Sequence, residues 1–547
     1  MNASVNVDQM RLRALDMLRG GARAAPAAEP TAGPAALPPG FTHGMTAVQQ
    51  GIWFQEQLHP GSGDAHIAVA LRLTGALDPA RLARAVDSVT ALQPALRSCV
   101  VAGAPARLMI KPHGEPLALL APDGDAEAQL LREARRPFDF TGATLFRSAL
   151  LPLGENQHAL LLTAHHLVFD GWSMSMLVSQ LSAAYATGAA PALAGVAGAY
   201  QRWFDTPQPA ATPEALAYWR AALAPCAERL SLPSDHAPAA TCFARSELGR
   251  ADVDALDRAC RERGVTRFPL LAIALAVVLG RYGNQGAVTL GFPLTVRPRA
   301  ELQAVAGNFL QTLPLPLVLD AHASAGAAVE QANRAFVGAL AHAGVALADL
   351  VRHCLPEQEG QRSNAFDALL NLTNFAMSTF DAPGIACAPF SDEQPELLGL
   401  GGAKFPLTVY CEPLADGGLR LRAVGMGAHY SGARLALVLA QMQAVLRQIV
   451  QAQAAPPLTL AALSLRTPEC EALLPQPCRP LPLQQYPAVP QSFLQQARSR
   501  PGALALEWRG SQWTYAQLAA AAVEGAQALA PHTGSQGRPP VVAVLGQ

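Results

Sequence analysis

LLTAHHLVFDGWSM, residues Leu161–Met174, joins a strand to a helix through a turn that carries two histidines and an aspartate. An apolar run ends in His165 and His166, three apolar residues follow, and then come Asp170 and Gly171. The run has the make-up of a buried strand, and successive strand side chains point to opposite faces. Only one of His165 and His166 therefore faces a given cavity, and the other must find partners inside the protein. An imidazole at a strand end has a pKa near 6.5 and offers both a donor and an acceptor. It is suited to taking a proton from an attacking amine, to hydrogen-bonding that amine, or to steadying charge in a tetrahedral intermediate. Gly171 removes a side chain where a substrate or the backbone must come close. Ser173 is placed to cap the helix that follows. Each piece also has a plainer reading. Histidines after an apolar strand are more often buried and hydrogen-bonded than catalytic, and an aspartate at a strand–helix junction is usually a turn or cap residue. His165, His166, Asp170 and Gly171 together form a more specific pattern than any one of them, though a short one.

Around this turn, extended stretches such as Ala65–Leu73, Ala159–Thr163 and Ala287–Phe292 alternate with helical ones such as Asp78–Leu92, Met174–Ala186 and Arg434–Ala452. That alternation predicts an α/β architecture. Residues 20–40 are almost entirely Ala, Pro and Gly and read as a linker. Before them, Met10, Ala14, Met17 and Leu18 recur at helical spacing within Asp8–Arg19. A second Pro-rich linker, LLPQPCRPLPLQQYPAVP, spans residues 473–490. After it come a helical start (Pro490–Ser499), a strand-like LALEW, the helix YAQLAAAAVEGAQALA and a strand-like VVAVLGQ.

Composition closes off several classes. The chain has 547 residues, half of them hydrophobic and 15% charged, so a sizeable core is available and global disorder is not expected. Net charge is −1, with no long basic or acidic run, which argues against nucleic-acid and membrane-surface partners. The nine cysteines, at 99, 226, 242, 260, 354, 387, 411, 470 and 478, never occur in CxxC spacing. Buried thiols in a reducing compartment account for them better than disulfides or zinc. No secretory h-region, phosphate loop or metal-ligand cluster is found, and the longest apolar run, about Phe268–Gly280, is short for a membrane span of roughly 20 residues. The expectation is a soluble, cytoplasmic monomer that binds no metal.

HHLVFDGWS resembles the HHxxxDG core of nonribosomal peptide synthetase condensation domains, which belong to the chloramphenicol-acetyltransferase-like acyltransferases. Other segments follow in the order that family shows. MTAVQQGIWFQEQLHPGSGDAHIAVALRL (45–73) is similar to its opening motif and first strand. LQPALRSCV (92–100) is similar to RHxxLRTxF, keeping Leu96 and Arg97 but with Gln93 where the family has histidine. AYQRWF (199–204) and AYWRAALA (217–224) resemble the motif before the second half. GFPLTVRPRAELQAVAGNFLQTLPL (291–315) is similar to GxPxxxRxxxEL…GxFxNTLPL, with Gln311 replacing the usual asparagine. AHAGVALADLV (341–351), ALLNLTNFA (368–376) and AKFPLTVYCEPLADGGLRL (403–421) resemble the remaining motifs, so the likeness runs from about 44 to 465.

The resemblance implies two similar α/β halves, residues 42–215 and 216–472, in a V-shaped pseudo-dimer with a central tunnel. It implies that His166 is catalytic, that His165 is a structural partner, and that Asp170 and Arg297 form an internal salt bridge. Gly171, Trp172 and Ser173 become candidates for substrate contact. The implied reaction joins a donor acyl or peptidyl thioester to the amine of a carrier-bound aminoacyl acceptor. The chain itself would bind no cofactor, because its substrates ride on phosphopantetheine arms of carrier proteins. AVPQSFLQQARSRPGALALEWRGSQWTYAQLAAAAVEGAQAL resembles the first segment of an adenylation domain, making 473–489 a linker and 490–547 a truncated start. With only a 20–41 linker and a 1–19 helix before the condensation-like region, the donor is expected in trans. It would come from an upstream carrier protein that residues 1–19 dock, or from acyl-CoA if the domain is a starter. A downstream carrier would bring the acceptor. A non-catalytic recruitment platform of the same fold is the alternative of another class.

Overall fold

The computed structural model describes residues 37–532, except 39, 191–194, 207–210, 227, 231, 236–240, 298, 356–364, 374–376, 453–456, 474–487 and 509. The expected docking helix at 1–19, the linkers and the VVAVLGQ strand lie outside the described residues, wholly or for the most part. Two compact units emerge, Met1–Ala472 and Leu473–Gln547.

In the first unit a small sheet joins β1 (Thr42–Gly44) and β3 (Ser98–Val101) to β4 (Arg107–Ile110) between them. The first large sheet uses β2 (His66–Gly75), β5 (Ala118–Leu119), β6 (Phe146–Gly154) and β7 (Gln157–His165). The second uses β8 (Thr241–Leu248), β9 (Ala287–Thr295), β10 (Leu310–Val318), β11 (Ala368–Leu372), β13 (Leu407–Pro413) and β14 (Leu419–Met426), in the order β10-β9-β11-β13-β14-β8. One strand of the later chain, β12 (Ile385–Pro389), joins the earlier sheet instead, giving β12-β2-β7-β6-β5.

β7 is central and antiparallel to both neighbours, with His165 opposite His66. Its two faces are both covered, which is why it reads as a continuous apolar run rather than an alternating one. Leu160, Leu162 and Ala164 pack into a core with Leu82, Val86 and Val89 of the helix Pro79–Leu92 and Leu177, Val178 and Leu181 of the helix Gly171–Thr187. Ala159 and Leu161 pack on the other face against Leu130 and Ala134 of the helix Ala126–Arg135. In the later chain the helix Arg267–Gly283 is buried on all sides from Phe268 to Gly280, inside a core that also takes one face of the helix Gly432–Gln451. That last helix is long and apolar enough to cross a membrane by length and composition, but Leu435, Val438, Leu439, Met442 and Val445 are spent on this core.

A cut at residue 215/216 does not follow the packing. Leu302, Val305, Ala306, Phe309, Phe380 and Ala382, all beyond the cut, belong to the earlier core. β12 pairs with Leu71–Gly75 of β2. The cause is a sheet edge: without β12, β2 would present a row of unpaired backbone groups. Linear patterning cannot register such a long-range pairing.

The eight described cysteines are free, and Cys478 lies outside the described residues. The second unit has a helix at Val489–Ser499, a hairpin of β15 (Leu504–Trp508) and β16 (Ser511–Thr514), and a helix at Tyr515–Leu529, with no buried residue in either helix. Thr514 caps the last helix, and Gln517 closes a capping box with it.

Candidate active site

Strand parity puts His165 on the face of β7 that carries Ala159 and Leu161, and its ring is fully buried. The Leu167 amide donates to His165 Nδ1 at 3.1 Å, so the ring proton sits on Nε2, facing Glu56 Oε2 at 3.4 Å. Phe138, Phe140 and His66 close around the ring edge-on. Burial pulls His165 below its ordinary pKa although Glu56 opposes it. Desolvation raises Glu56, but its bonds to His165 and to the Gly61 amide outweigh that and hold it below the usual carboxylate value.

His166 is placed differently, one residue past the strand end. Its amide donates to Ala65 O at 2.7 Å, its carbonyl accepts from Asn308 Nδ2 at 2.6 Å, and its Nδ1–H donates to Phe169 O at 2.7 Å. With Nδ1 committed as a donor, Nε2 carries the lone pair. Burial, reinforced by the nearby Lys404 ammonium, pushes the imidazole down to about 3, so it is neutral at physiological pH. Lys404 is itself brought down to about 8 by burial, against a smaller opposing pull from Asp64. The segment bearing Lys404 lies against the one that pins His166. A Cβ built on Gly401 would fall 2.8 Å from His66 O and 3.5 Å from Lys404 Cε.

Asp170 ends the turn and caps the helix Gly171–Thr187, accepting from the Ser173 amide at 2.8 Å. Arg297, 127 residues later, reaches it at 3.1 Å, with both side chains essentially dry. Asp170 Oδ2 also accepts from the Phe309 amide. Arg297 donates from Nη1 to the carbonyls of Leu302 and Val305 and stacks over the Phe309 ring at 4.2 Å. Both terminal nitrogens of the guanidinium are thus matched by acceptors and its charge by a carboxylate and a ring face, while the buried Nε has no hydrogen-bond partner among the described residues.

Two expectations at this turn are corrected. Ser173 does not cap the helix: it is the third helical residue, and Asp170 does the capping. Nor is Ser173 available to a substrate, since it is fully buried, with its hydroxyl donating to Gly307 O and accepting from the Gly307 amide and Arg297. Trp172 is half-buried and donates from Nε1 to Gln303 O at 3.1 Å. A Cβ on Gly171 would meet nothing within 4 Å, so no close approach of the protein backbone demands glycine there.

Three further residues take part that pattern reading does not single out. Asn308 and Glu56 are visible in the sequence only as parts of GNF and WFQEQL, and Gln93 only as a replacement for histidine. Fully buried, Gln93 bonds Gln180 Oε1 and Ala304 O and accepts from the Ala306 amide, clasping residues 304–306 to the earlier core. Gln311 donates to Val345 O at 2.8 Å.

A neutral histidine follows the end of a central strand, beside a buried aspartate–arginine knot, in a fold shared with solved condensation domains of nonribosomal peptide synthetases. Residues 42–467 match the family model of the condensation domain, and the chain belongs to that family, the amide-forming domains of nonribosomal peptide synthetases. Condensation domains work with carrier domains in those synthetases. The chain is similar to malpinin synthetase of Mortierella alpina, 28% identical over 389 residues, covering 67% of this chain but only 5% of that protein. Among solved structures it is similar to a four-domain nonribosomal peptide synthetase bound to AMP and glycine (TM-score 0.71, 18% identity, 91% of this chain and 39% of the other). It is also similar to the X-domain of teicoplanin biosynthesis in complex with OxyB (TM-score 0.66, 22% identity, 81% and 100%).

Proposed function

We propose that this chain joins a donor acyl or peptidyl thioester to the amine of a carrier-bound aminoacyl thioester, with His166 contacting the amine. The observation that carries the reading is the His166 ring: neutral, tethered through Nδ1, with the Nε2 lone pair as its acceptor. The amine nitrogen attacks the thioester carbonyl, the N–C bond forms, the C–S bond breaks, and the amine proton ends on the departing thiolate. An imidazole held near 3 is a weak base, and each unit of mismatch with the ammonium it would deprotonate costs about 1.4 kcal/mol. His166 therefore acts mainly as a hydrogen-bond acceptor that orients the amine, and proximity of the two held thioesters supplies much of the rate. Asp170 and Arg297 are structural in this reading, and His165 anchors the strand end. The substrates arrive on phosphopantetheine arms, one from an upstream donor carrier and one from an acceptor carrier downstream. Residues 490–547 are read as the start of an adenylation domain on their WTYAQL likeness.

The test supplies an acceptor carrier loaded with an aminoacyl group, together with either a peptidyl-loaded donor carrier or fatty acyl-CoA. Intact-protein mass spectrometry then reads condensed product. Product from the loaded carrier supports elongation, and product from acyl-CoA alone supports a starter. No product from either, with folded protein, overturns the reading in favour of a recruitment platform.

A further inference from the structure

The backbone amide, the carbonyl and Nδ1 of His166 are each held by one of three bonds. Two of these run to backbone carbonyls of the earlier half, Ala65 and Phe169. The third comes from the Asn308 side chain, on the segment of the later chain that crosses back into the earlier core. Asn308 is itself only 4% exposed, and its Oδ1 is fixed by the Leu310 amide at 3.1 Å, so its amide group cannot swing. Around it, Gln93 clasps residues 304–306, Ser173 clasps Gly307, and Asp170 takes the Phe309 amide. The crossing segment is thus bolted down on both sides of Asn308.

We infer that Asn308 is a positioning residue for the condensation reaction: it fixes the His166 carbonyl, and with it the height and tilt of the imidazole, from the opposite half of the domain. This rests on the reading of His166 as the group that contacts the amine. Displacement by even an ångström of a group that orients a reactant costs rate rather than binding. The two remaining tethers on His166 end on backbone carbonyls, Ala65 O and Phe169 O, that no substitution at position 308 removes, so the histidine stays in the site and loses only its alignment.

The full chain is prepared as Asn308→Ala, Asn308→Asp, His166→Ala and His166→Ala/Asn308→Ala, and single-turnover condensation is measured with loaded carriers. Asn308→Ala is expected to lower the rate roughly 10- to 100-fold, with KM for either carrier unchanged. Asn308→Asp keeps the acceptor for the Leu310 amide but turns an oxygen lone pair on the His166 carbonyl. Ionised, it fails as Ala does; protonated, its O–H donates to that carbonyl, so its rate relative to Asn308→Ala rises as pH falls. A merely structural asparagine gives no such pH-dependent rescue. In the His166→Ala background, adding Asn308→Ala is expected to cost nothing further. If His166→Ala is slow but both single Asn308 variants turn over like the parent, or if their loss lies in KM alone, the inference fails while the catalytic reading stands. If His166→Ala itself turns over normally, both fall.

Discussion

One structural unit is built twice in this domain, and only one copy carries the chemistry proposed above. β7 ends at His165 and the next helix begins at Gly171; β14 ends at Met426 and the next helix begins at Gly432, so each turn has the same length. Each turn ends in a capping side chain, Asp170 accepting from the Ser173 amide and Ser431 from the Arg434 amide. Each cap is braced by an arginine–carboxylate pair, Arg297 with Asp170 and Arg434 with Asp235, whose carboxylate also holds Ser431. The differences are burial and the origin of the brace. The Arg297–Asp170 pair is 2% and 0% exposed, against 26% and 17% for Arg434–Asp235. His166 sits first in its turn, tied down and half-buried, whereas His429 sits third and exposed, its backbone hydrogen-bonded and its ring edge-on to Tyr430. A capped strand–turn–helix is therefore architecture. The proposed site lies where a histidine opens the turn and the later chain reaches across to fix it.

The sharpest way to break that contrast is to remove each histidine. His166→Ala is expected to slow condensation by about 10²-fold or more, through lost orientation of the amine, with an unchanged melting temperature, and His429→Ala is expected to leave both unchanged. Equal rates for the two variants would erase the distinction between the turns.

Next come the braces. Asp170→Ala and Arg297→Ala each strand a buried charge, and each should lose about 3–5 kcal/mol in urea unfolding. Asp235→Ala removes a partly solvated pair and should lose about 1 kcal/mol. If Asp170→Ala unfolds like the parent and loses only activity, the knot is catalytic rather than structural.

How much of this is legible in the sequence follows from range. The turn itself is readable, because the buried strand, the two histidines, the aspartate and the following helix are contiguous, and local patterning reports local structure. LALEW, the helix at Gly171–Thr187 and the helix at Gly432–Gln451 are readable for the same reason. Arg297 emerges only through family likeness, since nothing in VRPRAEL points 127 residues back. Asn308, Gln93 and β12 stay hidden because their partners lie across the domain, and a buried amide leaves no periodic trace. Ser173 misleads because Asp170, three residues earlier, competes for the same role, and a carboxylate both caps and pairs with Arg297.

The smallest effect concerns acid. The earlier half packs His43, His66 and His165 into its interior. His66, 6% exposed, is held by burial at about 4 against an ordinary 6.5, although its bond to Ala134 O opposes the shift. Between those values the unfolded chain takes up a proton that the folded chain refuses. The unfolded state therefore binds more protons there, and stability falls as pH drops from 6.5 toward 4. For this one residue the loss between pH 7 and pH 5 comes to ~2 kcal/mol. Gln in its place keeps an N–H for the Ala134 carbonyl and cannot become charged. His66→Gln should therefore be somewhat less stable than the parent at pH 7, through imperfect packing against Phe138, yet close that gap by about 2 kcal/mol by pH 5. Parallel urea titrations at the two pH values measure it. A constant gap would mean that the His66 ring is protonated as readily in the fold as outside it, and that acid enters the domain elsewhere.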